Sequence, residues 1–115
     1  MGELLYHGGD NIGYKEHFSE IMGDYATLNG GSVFALGNGN VSDYARRSSI
    51  VGTGNILNGT ETAASDYNMV TGYQNKANNV NNVSVMGTGN KLSDATTDVV
   101  IGDYHTLSGG KNNVI

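Results

Sequence analysis

Two residues, usually both apolar, followed by a glycine and a short polar turn, return six times in the same register along the chain. That recurrence constrains the fold more than any other feature, because a fixed short period means stacked units and not a single irregular core. The copies are IMGDYATL (21–28), ALGNGNVS (35–42), IVGTGNIL (50–57), VTGYQNKA (70–77), VMGTGNKL (85–92) and VIGDYHTL (100–107). Their anchoring glycines, read as turn glycines, are Gly23, Gly37, Gly52, Gly72, Gly87 and Gly102, so successive steps are 14, 15, 20, 15 and 15 residues. NIGYKEHF at 11–18 reads as a weaker seventh copy. A helix–turn–helix repeat needs more than about thirty residues and does not fit this period. Extended chain covers about 3.3 Å per residue, enough for two short strands and two tight turns per coil. The β-branched residues before the glycines in SSIVG and DVVIG favour strands. The expected fold is therefore an all-β solenoid of about 14–15-residue repeats, strand on identical strand in parallel. The step of 20 places an extra loop at 59–66.

Composition agrees with a repeat fold and removes several functions. The 115 residues hold 18 glycines but no proline and no cysteine, which excludes a collagen helix, disulfides and thiolate chemistry. Fifteen asparagines fall largely in the turns, where stacked amides bond from coil to coil. The net charge is −5 and Arg46-Arg47 is the densest basic stretch, so no phosphate-tracking nucleic-acid surface is expected. No apolar run reaches the ~18 residues of a membrane span.

Neighbouring strand residues point to opposite faces. Both residues before the glycine are nonetheless apolar in five of the six copies. One row, Ile21, Ala35, Ile50, Val70, Val85 and Val100, is expected to line the coil together with Leu28, Leu57, Leu92 and Leu107. The other row, Met22, Leu36, Val51, Met86 and Ile101, then needs cover from outside. Each such side chain is worth roughly 1.5–3 kcal/mol on burial, so self-association about an axis parallel to the stack is expected.

The segments NNVSVMGTGNKLSDATTDVVIGDYHTLSGG (81–110) and SVFALGNGN (32–40) resemble the YadA-like head repeats of trimeric autotransporter adhesins. The resemblance covers 20–115, with 1–19 left as an irregular segment or a partial first repeat. It implies a left-handed parallel β-roll, three rolls side by side as a homotrimer, and display on a bacterial outer membrane. It further implies attachment to a host extracellular-matrix protein, a cell-surface receptor or other bacteria. The stretch KNNVI (111–115) matches the opening of another repeat, so the full protein is expected to continue into a stalk and anchor.

No catalytic set is apparent. His7, His17 and His105 stand alone, without the convergent partners a metal needs. The Gly-x-Gly of GNGNVS, GTGNIL and GTGNKL lacks the third glycine and the following helix of a dinucleotide site. Neither enzyme activity nor a cofactor is expected. Ligand contact is expected at the inserted loop, Gly59, Thr60, Glu61 and Thr62, and at exposed Tyr25, Tyr44, Tyr67 and Tyr104, since tyrosine is enriched in binding hot spots. The alternative is a structural spacer of a trimeric fibre, or a phage tail-fibre segment, with no ligand of its own.

Overall fold

The computed structural model describes residues 4–7, 12–14, 19–24, 27–60 and 62–115, with side chains described from position 34 onward apart from 61. Among these residues there is no helix. The strands are β1 (Leu4–His7), β2 (Ile12–Tyr14), β3 (Ser19–Asp24), β4 (Thr27–Asn38), β5 (Val41–Thr53), β6 (Ile56–Asn58), β7 (Ser65–Asp66), β8 (Met69–Tyr73), β9 (Lys76–Asn78), β10 (Ser84–Thr88), β11 (Lys91–Ser93), β12 (Val99–Asp103) and β13 (Thr106–Ser108). Every strand pairing is parallel. The chain is thus an all-β solenoid of parallel strands.

Its register follows the glycines. Gly23 pairs with Gly37, Gly37 with Gly52, Gly52 with Gly72, Gly72 with Gly87 and Gly87 with Gly102. These glycines do not make the turns, as the sequence suggests; they lie inside the strands. At Gly87 the reason is close approach: φ is +137°, and an added Cβ would stand 1.8 Å from the carbonyl oxygen of Gly102 on the next coil.

The coil has three corners, not the two turns expected. Each corner holds a residue in the left-handed region. The first corner has Gly39, Gly54, Gln74, Gly89 and Tyr104; the second has Tyr44, Asn79, Asp94 and Gly109; the third has Arg47, Tyr67, Asn82, Thr97 and Asn112. Non-glycine residues, and a β-branched one such as Thr97 above all, adopt this region at a cost. The stack holds them there, because the corner N–H donates to a carbonyl of the preceding coil: Tyr104 to Thr88 at 2.8 Å, Asn79 to Asn58 at 2.8 Å and Thr97 to Asn81 at 3.0 Å.

Both departures from a step of fifteen occur at the second corner. Where Tyr44 turns the chain on one coil, the preceding coil passes from Asn29 to Gly30 with no residue opposite it. On the following coil, 59–64 fill the gap between Asn58, which pairs with Asp43, and Ser65, which pairs with Ala45.

At the N-terminal end, Tyr6 and His7 pair with Ile21 and Met22, so β1 and β2 add another coil. The copy read at NIGYKEHF is overturned by this register. Gly13 pairs with Leu28 on the second strand of the coil, and not with the repeat glycines. Tyr-His is too polar to be recognised as the apolar pair of that coil.

The interior is apolar on three sides. Ala35, Ile50, Val70, Val85 and Val100 stack on the glycine strand, Leu57, Ala77 and Leu92 on the next, and Ala45, Val80 and Ala95 on the third; all are buried. Leu107 packs against this core. The side chains of Ile21 and Leu28 lie outside those described.

Candidate functional site

Four asparagines, Asn40, Asn55, Asn75 and Asn90, follow the first corner and turn inward, where they are buried instead of lying in the turns. Each donates Nδ2 to a glycine carbonyl of the next coil: Asn40 to Gly52 at 2.9 Å, Asn55 to Gly72 at 2.8 Å, Asn75 to Gly87 at 2.8 Å and Asn90 to Gly102 at 2.6 Å. Each Oδ1 accepts the backbone N–H of its successor, and His105 continues the row as the residue that donates to Asn90. A buried amide needs these partners, since leaving one unmade costs about 1–3 kcal/mol. The ladder fixes the coil register from within and leaves the function to the outer surfaces.

One outer surface is the exterior of the glycine strand. On the single chain Leu36 is 38% exposed, Met86 50% and Ile101 57%, while Val51 is half-buried. The register aligns them: Leu36 pairs with Val51, Val51 with Thr71, Thr71 with Met86 and Met86 with Ile101. Exposed Met69 and Val114 border the same row. Met22 occupies the next register position, with its side chain outside those described. The result is an apolar stripe, interrupted by Thr71, along a protein of mean hydropathy −0.32.

The second surface is formed by the corners. The inserted loop closes on itself through the N–H of Thr60 donating to the carbonyl of Ala63 at 2.9 Å and the N–H of Ala63 donating to the Thr60 hydroxyl at 3.0 Å. Its base is clamped by Gly59 N–H on the Asp43 carbonyl at 2.7 Å and the Ser65 hydroxyl on the Asn58 carbonyl at 2.6 Å. Thr60 and Thr62 are exposed, Gly59 is half-buried, and Glu61 lies outside the described residues.

At the third corner Asp66 receives two arginines from the preceding coil. Arg46 donates to Oδ2 at 3.0 Å, and Arg47 donates Nε to Oδ1 at 2.8 Å with its terminal nitrogen also on Oδ2. The Arg47 guanidinium sits 4.3 Å from the centre of the Tyr67 ring, within cation–π range. Hydrogen bonding by Arg47, joined by the charges of both arginines, holds the Asp66 carboxyl below its ordinary range against the opposing effect of burial. The only basic pair of the sequence is therefore engaged by an acid.

The tyrosines separate. Tyr67 is exposed but covered on one side by Arg47. Tyr44, expected in the open, is half-buried because it forms the second corner itself. Tyr104 is 78% exposed, with its ring against Gly89 of the preceding coil. Tyr25 lies outside the described residues. Tyr73, 48% exposed, was not singled out from the sequence. It follows a repeat glycine directly, as Asp103 does, and that position points outward. Among the described residues no three His, Asp or Glu side chains assemble as a metal site. Compared with known proteins, the chain matches no family model, no curated protein and no solved structure.

Proposed function

We propose that the chain is a head segment of a bacterial surface adhesin, a left-handed β-roll that assembles as a homotrimer about an axis parallel to its stack. The apolar stripe from Leu36 to Ile101 carries this reading. It runs straight along the glycine strand, so identical copies set side by side cover one another's stripe in the same register. The repeat likeness to YadA-like heads supports three as the number of copies. Attachment to a host matrix protein, a receptor or another cell then falls to the outward corners and the inserted loop, which sit on a rigid scaffold. The reading assigns binding to the chain and not catalysis.

Light scattering on the purified chain tests the assembly, with a mass three times 12.1 kDa expected. Leu36→Asp or Met86→Asp abolishes that species, because a charge at the centre of the shared stripe is desolvated without a partner. A stable monomer of the unaltered chain overturns the assembly. Capture of matrix proteins or receptor ectodomains from a panel tests the adhesive role; a trimer that captures none is a spacer.

A further inference from the structure

We propose that Lys76 and Lys91, together with Tyr73 and Tyr104, form a binding site for an acidic glycan whose carboxylates are sparsely spaced. Lys91 pairs directly with Lys76 across two parallel strands, which stand about 4.8 Å apart. Both lysines are exposed. Like charges directly opposite one another destabilise a sheet. Among the described residues neither lysine has a carboxylate within ion-pair distance, the ion pairs being those of Arg46 and Arg47 with Asp66. The nearest acids by register are otherwise engaged: Asp94 accepts from Asn79 at 2.6 Å and Asp103 from the Thr88 N–H at 3.0 Å. Two neighbouring ammonium groups on flexible stems converge on one carboxylate, each donating to one of its oxygens.

The aromatic partners lie on the coil of Lys76 and on the coil that follows Lys91. Tyr73 pairs with Thr88, and the Tyr104 ring rests on Gly89, the next residue; a Cβ there would stand 2.7 Å from the ring. Both rings therefore flank the first corner, from which β9 and β11 carry the lysines. Exposed rings of this kind take the C–H face of a sugar, while the polar rim bonds its hydroxyls. The net charge of −5 and the Asp103 carboxylate at the same corner repel a densely sulfated chain. A neutral chain leaves the lysine repulsion uncompensated. A glycan with a carboxylate on alternate rings satisfies both constraints.

This deepens the adhesive reading by naming a ligand class, yet the site lies on one chain, with its lysines on the second strand of the coil and Tyr73 at the edge of the strand that carries the apolar stripe. Titration of the intact chain with hyaluronan oligosaccharides, followed by calorimetry or NMR, is the test, with dextran and heparin oligosaccharides as comparisons. Hyaluronan is expected to bind, and dextran and heparin are not. Lys76→Gln/Lys91→Gln weakens binding by about tenfold or more, as does Tyr104→Ser, while Lys76→Arg/Lys91→Arg retains it. All four side chains are exposed, so circular dichroism and the thermal midpoint hold, and the midpoint of the glutamine pair stays level or rises. Failure of hyaluronan to bind, binding that survives the glutamine pair, or tighter binding of heparin overturns the site. A trimer that ignores hyaluronan overturns the site alone, and a monomer that binds it overturns the three-fold assembly alone.

Discussion

The carboxamide oxygen of Asn75 accepts two hydrogen bonds from Asn90 on the next coil, one from its backbone N–H and one from its Nδ2, each at 3.0 Å. The same geometry joins Asn40 to Asn55 and Asn55 to Asn75. A coil shifted by one residue would present the wrong side chain to this buried row, so the ladder sets register as well as stability.

Asn75→Ala leaves the Gly87 carbonyl without its Nδ2 donor and the Asn90 N–H without its acceptor in the buried interior. A loss of about 2–4 kcal/mol is expected, from the penalty for unpaired buried groups. Urea unfolding of the variant measures it. A loss under about 0.5 kcal/mol would mean that water reaches the row.

Two glycines separate close approach from conformational preference. Gly87→Ala drives a Cβ into the backbone of Gly102, 1.8 Å from its carbonyl oxygen, and is expected to prevent folding of the coils around it. Gly109→Ala, at φ +72° with nothing within 4 Å of the new Cβ, is expected to cost only about 1 kcal/mol. Tyr44, Asn79 and Asp94 already occupy that corner with side chains. Circular dichroism and thermal melts of the two variants distinguish the cases.

The period of the repeat was legible because one backbone contact, glycine against the next glycine's carbonyl, admits no side chain and so marks every coil. The turn after each glycine, which is the first corner, was legible as well; the third corner was not, since Arg47 and Thr97 carry no turn signature of their own, and Thr97 is held left-handed by a hydrogen bond to the coil before. The coil containing Tyr6 and His7 escaped for a different reason: its pair is amphipathic, and Gly13 mimics an anchor one strand out of place. The asparagines were visible as a type but not as a place. Asn40, Asn55, Asn75 and Asn90 each stand three residues after a repeat glycine, and that constancy is the signal for an inward row. Of the outward residues, Tyr104 was legible by its exposure-prone position, whereas the Lys76–Lys91 pairing emerges only once the coils are stacked.

The Arg46–Asp66–Arg47 cluster makes stability depend on pH in a defined sense. The Asp66 carboxyl titrates below the ordinary 3.8 in the folded chain, so its contribution is complete above that value and is lost as pH falls through the lower folded value. Asp66→Asn is expected to lower the thermal midpoint at about pH 6, by an amount that shrinks as the pH falls below 3.8. Both arginines are half exposed, so added salt narrows the difference at pH 6. A midpoint difference that persists undiminished at acid pH would show that packing, and not charge, holds the corner.

Asp98 offers a gain of stability. It is fully buried; Oδ1 accepts the Asn113 N–H at 2.6 Å, while Oδ2 has no hydrogen-bond partner. Asn68 holds the equivalent position two coils earlier, where its Oδ1 accepts the Val83 N–H and its Nδ2 donates to the Val80 carbonyl at 3.0 Å. The carbonyl in that relation to Asp98 is Gly110, on the next coil. Asp98→Asn keeps the first bond, supplies the second and removes a buried charge, so the variant is expected to be more stable by about 1–3 kcal/mol at neutral pH. Denaturation curves of the two proteins at neutral pH read the gain; a variant less stable than wild type would overturn the pairing with Gly110.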